Sequence, residues 1–231
     1  SDVITSFLLR PVDGKPIAAH KPGQYLTFLI ELPGDMSQRR NYSISAAPND
    51  ESYRISVKRE PGGVVSGWLH DKAVRGMILK VAPPAGEFFL PADQTRPVVL
   101  LSGGVGLTPM VAMLESLATR SPATPVHFIH GALDGSVHAM ADQVRNLGQQ
   151  TGAHLQIFYE TPRLTDLNYD AEGRIPLKWL IENTPIREAD YFICGPTAFL
   201  QCFVTGLRGA GVAQDRIHYE YFGPGDDLMA A

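Results

Sequence analysis

Val98-Val99-Leu100-Leu101-Ser102-Gly103-Gly104-Val105-Gly106-Leu107-Thr108-Pro109-Met110 is the stretch on which the reading of this chain turns. Four apolar residues, the first two β-branched, predict a fully buried strand. They run into three glycines within four residues. An amphipathic run to Ala118 follows, with Met110, Met113, Leu114 and Leu117 at helical spacing. Thr108 is placed to cap that helix, and Pro109 to occupy its first turn, where a missing N–H costs nothing. A strand, a tight glycine turn and a helix N-terminus aim unpaired N–H groups and the positive end of the helix dipole at one point, which suits a phosphate. An ordinary βα turn has the same signature, and Pro109 stands where the common dinucleotide fingerprint has its last glycine. On this stretch alone both readings stay open.

Working outward, the bulk composition narrows the classes. The chain has 231 residues, 44% hydrophobic and 19% charged, as in ordinary soluble globular proteins. A net charge of −4 gives no basic footprint, so nucleic acid is not expected as a partner. No apolar run approaches the roughly 18 residues that span a bilayer, so no membrane association is expected. The two cysteines, Cys194 and Cys202, form no Cys-x-x-Cys pair, which argues against iron–sulfur and zinc-thiolate sites; no metal site is expected. A reducing, cytoplasmic setting fits this cysteine usage. Ser1 is not an initiator Met, no signal peptide precedes it, and Val3–Leu9 is already in strand pattern, so the natural chain is expected to extend upstream.

Upstream of the opening stretch, residues to about Leu90 read as all-β. Short β-rich runs at Ile4–Leu9, Tyr25–Leu32, Tyr42–Ser45, Tyr53–Lys58 and Met77–Val81 are broken by Pro- and Gly-rich turns. That punctuation predicts a sandwich or small barrel. A short helix over Val65–His70, entered at Ser66, is the one exception. From Arg96 strands and helices alternate: strands at Val126–His130, Leu155–Tyr159, Tyr191–Cys194 and Ile217–Phe222, helices at Val137–Leu147, Leu177–Ile181 and Ala198–Leu207. Such alternation predicts a parallel sheet covered on both faces. The expected division is residues 1–95 and 96–231, falling near Pro91–Arg96.

Ligands of open parallel sheets bind outside the carboxyl ends of the strands. Three such ends stand out: the Gly103–Pro109 turn, Cys194-Gly195-Pro196, and Glu220-Tyr221-Phe222-Gly223-Pro224. In the β half, Arg39-Arg40-Asn41-Tyr42-Ser43 combines guanidinium, phenol and hydroxyl on one strand, the guanidinium suited to a diphosphate and the phenol to the flat side of a ring. Alternation puts Arg40 and Tyr42 on one face and Asn41 and Ser43 on the other. A buried tyrosine beside surface arginines is the competing reading. Gly62-Gly63-Val64-Val65-Ser66 is a further candidate anion site, or equally a hairpin turn. His127 and His130 lie on opposite faces of one strand and do not make a metal pair. His70, His138, His154 and His218 read as structural or exposed, which leaves His130, near the presumed nucleotide, as the one of interest.

Taken together, these residues resemble the ferredoxin–NADP reductase family over nearly the whole chain. Arg40-Asn41-Tyr42-Ser43 fits its Arg-x-Tyr-Ser flavin motif and Gly63-Val64-Val65-Ser66 its Gly-x-x-Ser flavin-phosphate motif. Gly104-Val105-Gly106-Leu107-Thr108-Pro109 fits its pyridine-nucleotide loop, and Cys194-Gly195-Pro196 its nicotinamide-side turn. Within the family the chain is similar to the reductase half of flavohaemoglobins, the nitric oxide dioxygenases, through Pro22–Tyr25, Tyr53–Glu60, Ser102–Met110, Val137–Ala139 and Ile217–Pro224.

The resemblance implies a Greek-key FAD-binding barrel followed by a Rossmann-like NAD(P)H-binding domain. It implies that Arg40 holds the FAD diphosphate, that Tyr42 packs on the isoalloxazine, and that Ser43 hydrogen-bonds near the hydride-accepting N5. Tyr25 and the segment Val57, Lys58 and Glu60 would hold the rest of the FAD, with Val65 and Ser66 on its phosphates. Phe222 would cover the flavin beside Tyr221, Gly223 and Pro224, and Glu220 would tune electron transfer at the flavin edge. Gly104–Pro109 would cradle the dinucleotide, with Cys194, Gly195 and Pro196 beside the nicotinamide. Hydride transfer needs two flat rings about 3–3.5 Å apart, so the protein's task is positioning.

Against that pattern the 231 residues hold no globin domain and begin after the family's first barrel strand, so the chain is expected to be a fragment of a flavohaemoglobin or the reductase module of a different fusion. No Cys-x4-Cys-x2-Cys signature is present, so the electron acceptor is expected outside this chain. The candidates are a haem globin, an iron–sulfur or oxygenase partner, or, in a different class of function, a redox sensor without turnover. Haem enters only with an upstream globin. For the nucleotide, the strand ending His130-Gly131-Ala132 is followed by Asp134 and by no Arg or Lys, which leans to NADH over NADPH.

Overall fold

The computed structural model describes residues 1–32, 36–120 and 124–222. Its first part is antiparallel. β1 (Ile4–Leu9) pairs with β4 (Tyr53–Lys58), while β2 (Tyr25–Leu32) lies between β3 (Met36–Ser43) and the short β5 (Lys80–Val81). A bridge between Ile44 and Ile55 joins the two sheets into one barrel wall. Inside, Leu26, Phe28, Ile30, Ile44, Ile55 and Val57 pack with Val65 and Leu69 of α1 (Val64–Lys72). Alternation along β2 puts Leu26, Phe28 and Ile30 inward and leaves Tyr25 and Thr27 on the other face.

Several boundaries differ from the sequence expectation. β3 begins at Met36, well before Tyr42, because it pairs along the whole of β2, an edge role that polar residues Ser37–Asn41 fill. The strand expected over Met77–Val81 is reduced to Lys80–Val81; Val74–Met77 turn instead, with Gly76 at φ +87°. Ser66 does not start α1, whose N-cap is Gly63; it lies in the first turn.

The second part is one six-stranded sheet in the order β11-β10-β6-β7-β8-β9, with every pairing parallel. β6 (Val98–Gly103), β7 (Val126–Ala132), β8 (His154–Tyr159) and β9 (Ala171–Glu172) run outward in one direction. β10 (Asp190–Gly195) and β11 (Ile217–Tyr221) lie on the other side of β6. The strand order therefore reverses between β6 and β10, which opens a crevice at their carboxyl ends. Alternate residues serve the two faces. Val98, Leu100, Phe128 and Phe192 meet α2 (Leu107–Arg120) and α3 (Ala141–Thr151). Val99, Leu101, Tyr191 and Ile193 meet α4 (Leu177–Asn183) and α5 (Thr197–Gly209). Phe88, Leu90 and Ile4 join the first of these clusters, so the two halves share a core. The helix expected from Val137 starts only at Ala141. Asp134 accepts the Ser136 N–H at 2.8 Å and holds the chain in a turn, and Met140 enters α3 in the left-handed region at φ 56°. Among the described residues no helix is long and apolar enough to cross a membrane.

Candidate active site

A cavity of about 900 Å³ opens between the barrel and the carboxyl ends of β6 and β11. Tyr25 and Thr27 of β2 line it with Arg39, Arg40, Asn41, Tyr42 and Ser43 of β3, and Ser56 and Lys58 of β4. Glu60 and the turn Gly63–Ser66 close one end; Val105, Thr108, Glu220, Tyr221 and Phe222 form the opposite wall. Three sequence-distant candidates, the Arg-x-Tyr-Ser strand, the Gly-x-x-Ser turn and the strand-end Glu-Tyr-Phe, thus meet in one place.

The polar groups of this cavity are left ready for a ligand. Ser43 is buried with its Oγ lacking any hydrogen-bond partner, and Glu220 Oε2 is buried in the same condition. Such orphans cost about 1–3 kcal/mol each unless something binds them. Burial pushes the Glu220 carboxyl up to about 8, so it is largely protonated at neutral pH. Burial, and secondarily the carboxylate of Glu220, pushes the Cys194 thiol well above its ordinary range, so Cys194 is a neutral thiol. The Tyr42 phenol is pushed up to about 12 by burial, against the opposing charge of Arg40. At the rim, the Arg40 guanidinium donates to the Arg39 carbonyl and to Gln38 Oε1, each at 2.7 Å. Neither Arg39 nor Arg40 has an acidic partner among the described residues, so both cations face a potential anion. Lys58 and Glu60 instead offset each other, 2.9 Å apart. The first turn of α1 adds N–H groups without intrahelical partners. Ser66 Oγ accepts the Glu60 N–H at 3.1 Å and donates to the Gly63 carbonyl at 3.3 Å, which fixes that turn.

The glycine turn after β6 is built differently from the sequence expectation. Gly104–Gly106 form a single 3-10 turn that runs into α2 at Leu107. Thr108 is not a cap: its hydroxyl donates to the Val105 carbonyl at 3.1 Å, while Pro109 does sit in the first turn of α2. Gly106 crosses directly over β10, where a Cβ would lie 2.2 Å from the Cys194 carbonyl oxygen. Gly104 has φ +56° with open space beside it.

Some expected residues are not part of the lining. Val57 is fully buried in the barrel core, as β-alternation from Ser56 and Lys58 requires; it pairs with Thr5 of β1, and its carbonyl lies 2.9 Å from His70 Nε2. Gly104, Gly106, Leu107, Pro109, Cys194, Gly195 and Pro196 flank the cavity, with only Val105 and Thr108 of the glycine turn reaching it. Gly223 and Pro224 lie outside the described residues. Arg39 and Val64, named only as members of their motifs, do line the cavity, and Thr27 and Ser56 join them although neither motif contains them. Thr27 and Ser56 are two residues from Tyr25 and Lys58, a period-2 signal that was available.

Beneath the crevice, the histidines prove less scattered than expected. His130 is fully buried with its ring 4.7 Å from that of His138, and its Nδ1 is 2.9 Å from Ser102 Oγ. Burial first, and the neighbouring imidazole second, depress His130 well below its ordinary range; His138 is lowered to about 4, mainly by burial. The expectation that no cation stands near the end of β7 is corrected too. The loop after β8 brings Arg163 Nε to within 3.0 Å of Asp134 Oδ2.

Comparison with known proteins agrees with this architecture. Residues 100–205 match the family model described as the oxidoreductase NAD-binding domain. The flavohemoprotein of Xylella fastidiosa (strain 9a5c) is 48% identical over 233 residues, covering 100% of this chain and 58% of that protein. The flavohemoprotein of Bacillus cereus (strain ATCC 10987) is 45% identical over 241 residues, covering 99% and 60%. The chain thus spans about three fifths of the length of these curated relatives. Among solved structures, the flavohem-like FAD/NAD binding domain of nitric oxide dioxygenase from Vibrio cholerae O1 biovar El Tor superposes with a TM-score of 0.88 at 38% identity, covering 96% of this chain and 93% of that one. By these matches the chain belongs to the ferredoxin–NADP reductase family, in its flavohaemoglobin-type branch.

Proposed function

We propose that the chain takes hydride from NAD(P)H onto FAD and passes the electrons to a haem globin, as the reductase portion of a nitric oxide dioxygenase. The enzyme class is that of an FAD-dependent NAD(P)H oxidoreductase. The observation that carries the reading is the cavity in which Ser43 Oγ and Glu220 Oε2 are buried without partners between Tyr42 and Phe222. A flat heterocycle bearing ring nitrogens and carbonyls would satisfy both. FAD, when bound, supplies the chemistry by accepting a hydride and releasing electrons singly.

The residues of the chain do the positioning. Arg39, Arg40 and the first turn of α1 offer cations and N–H groups to a diphosphate. Tyr42 offers a ring face, and Ser43 offers a hydroxyl at the hydride-accepting edge. Phe222, partly exposed, covers the opposite side and has room to move away for a nicotinamide. Val105 and Thr108 present the glycine turn to the dinucleotide, with Cys194 and Gly195 behind it. Glu220, largely neutral, keeps a proton beside the reacting edge without placing full negative charge there. We assign residues 1–95 to the flavin domain and 96–231 to the nucleotide domain, with a cytoplasmic setting.

The test is anaerobic. The chain loaded with FAD is mixed with NADH or NADPH, and bleaching of the flavin band is followed. Rapid bleaching supports the reductase reading; failure to take up FAD at all overturns it. A Soret band in the full gene product that reduces after the flavin would support the globin acceptor. A flavin that bleaches without one would move the acceptor to an iron–sulfur or oxygenase partner.

A further inference from the structure

Glu115 sits two turns down α2 from the cavity and touches both halves of the molecule. Its Oε2 accepts the Ala47 N–H at 2.6 Å and lies 3.4 Å from Arg54 Nη2; its Oε1 accepts from Gln143 Nε2 of α3 at 3.2 Å. Arg54 is itself fixed, because its Nε donates to the Ser45 carbonyl at 3.1 Å. Both charged side chains are about three quarters buried. An acceptor buried to this extent, with three donors, is a firmer contact than an exposed ion pair.

The place of this contact gives it a consequence. Seven residues separate Thr108 from Glu115, which is about 10.5 Å of rise and within about 20° of two full turns. The two side chains therefore share one face of α2, Thr108 in the cavity wall and Glu115 on the barrel. On the other side of the contact, Ala47 follows Ser43 by four residues, and Arg54 precedes Ser56 and Lys58 by two and four on β4. The clamp thus ties the strands that carry one wall of the cavity to the helix that carries the other.

We propose that Glu115 is a positioning residue for hydride transfer: by holding Ala47 and Arg54 against α2, it sets the approach of the glycine turn to the flavin side of the cavity. The proposal rests on the reductase reading. Misplacement of reacting groups by about 1 Å costs on the order of a hundredfold in rate, so a partial loosening is expected to cost about tenfold.

The experiment compares Glu115→Ala, Glu115→Asp and Glu115→Gln in the FAD-loaded chain. Three quantities are read: FAD content, the dissociation constant for NADH, and the limiting rate of flavin reduction per bound flavin. Glutamine keeps an acceptor oxygen at the reach of Ala47, whereas aspartate falls short by a methylene. The expected result is a limiting rate reduced about tenfold in the Ala and Asp variants and less than about threefold in Gln, with FAD content and NADH affinity unchanged. Amide exchange at Ala47 is measured alongside and is expected to accelerate at least about tenfold in Glu115→Ala. A limiting rate per flavin unchanged in Ala and Asp, or one that falls only with FAD content, overturns the proposal. If NADH fails to reduce the unaltered chain, the reductase reading fails; the clamp is then overturned separately if Ala47 exchange is indifferent to Glu115→Ala. Should Glu115→Ala not fold, Asp against Gln carries the same comparison.

Discussion

Gly106→Ala is the substitution whose effect the structure fixes most tightly. The added Cβ would lie 2.2 Å from the Cys194 carbonyl oxygen, 2.5 Å from its carbon and 2.8 Å from the Gly195 nitrogen. All three are backbone atoms of a central strand, hydrogen-bonded between β6 and β11, so no side-chain rotation can relieve the contact. Overpacking in a close-packed interior costs about 1–3 kcal/mol, and backbone against backbone belongs at or above the top of that range. Gly104→Ala two residues earlier is the natural control. It meets nothing within 4 Å but must hold φ +56°, which costs an L-residue about 1–2 kcal/mol. At about 2–4 °C per kcal/mol for a chain of this size, Gly106→Ala should lower the melting midpoint by about 6–12 °C and Gly104→Ala by about 2–8 °C. Because the strained turn carries Val105 and Thr108 in the cavity wall, Gly106→Ala should also slow flavin reduction by NADH more than Gly104→Ala does. Melts of the FAD-loaded variants, with stopped-flow reduction on the same samples, give both numbers. A Gly106→Ala protein as stable as the unaltered chain, or more stable than Gly104→Ala, would refute the argument.

Further outcomes follow from the charges. Glu220 is held at about 8 against an ordinary 4.5, so the folded, flavin-free chain retains a proton that the unfolded chain has lost; its stabilising share is complete below pH 4.5 and disappears as pH rises through 8. At about 1.36 kcal/mol per unit the ceiling is about 5 kcal/mol, and water entering the cavity reduces it to about 1–2 kcal/mol. Glu220→Gln should therefore flatten the decline in melting temperature between pH 6 and 8.5, and an unchanged decline would count against a buried, protonated carboxyl. On the acid side the sign reverses, because His130 and His138 are depressed and stay neutral in the fold while their unfolded counterparts protonate below about 6.5. Stability should fall from pH 6.5 downward, and denaturant titrations of a His138→Phe variant should show a shallower fall. Ser102→Ala removes the hydroxyl that lies 2.9 Å from His130 Nδ1 and should cost about 1–3 kcal/mol by the same titrations. Arg163→Gln removes a half-exposed cation at the end of β8; if NADPH uses it, kcat/KM for NADPH should fall about two- to fivefold with NADH unaffected, and equal losses for both would exclude that role.

Much of this architecture could be read without coordinates, because its strongest signals are local. The four apolar residues of β6, the glycine turn and the period-3.6 run of α2 lie within one window, and the parallel sheet follows from strand and helix alternation. β3 was the harder strand, since Ser37–Asn41 are polar and earn their place by pairing with β2 rather than by burial. Two local preferences point the wrong way: by residue type Thr108 suits a helix cap and Val137 a helix start. In each case a hydrogen bond formed elsewhere, Thr108 to Val105 and Ser136 to Asp134, decided the backbone instead. The contacts that no local pattern could reveal span long separations: Ser102 and His130 are 28 residues apart, Asp134 and Arg163 29, and Ala47 and Glu115 68.

Burial on one side and unpaired cations on the other also give the cavity its polarity. On its floor Glu220 is largely protonated because burial opposes its charged form, and the Tyr42 phenol and the flanking Cys194 thiol, neutral at pH 7 in any case, are pushed further from ionising. At its rim Arg39 and Arg40 carry positive charge without acidic partners among the described residues. A ligand that is flat and uncharged at one end and anionic at the other can then enter in one orientation only, ring inward and phosphates outward. The reverse orientation would bury phosphate charge against neutral groups and leave the arginines unpaired, at a cost of several kcal/mol. Orientation is thus set by the gradient from a neutral floor to a cationic rim before any single hydrogen bond is made, and Ser43 and Glu220, the two orphans at the inner end, then fix the register of the ring.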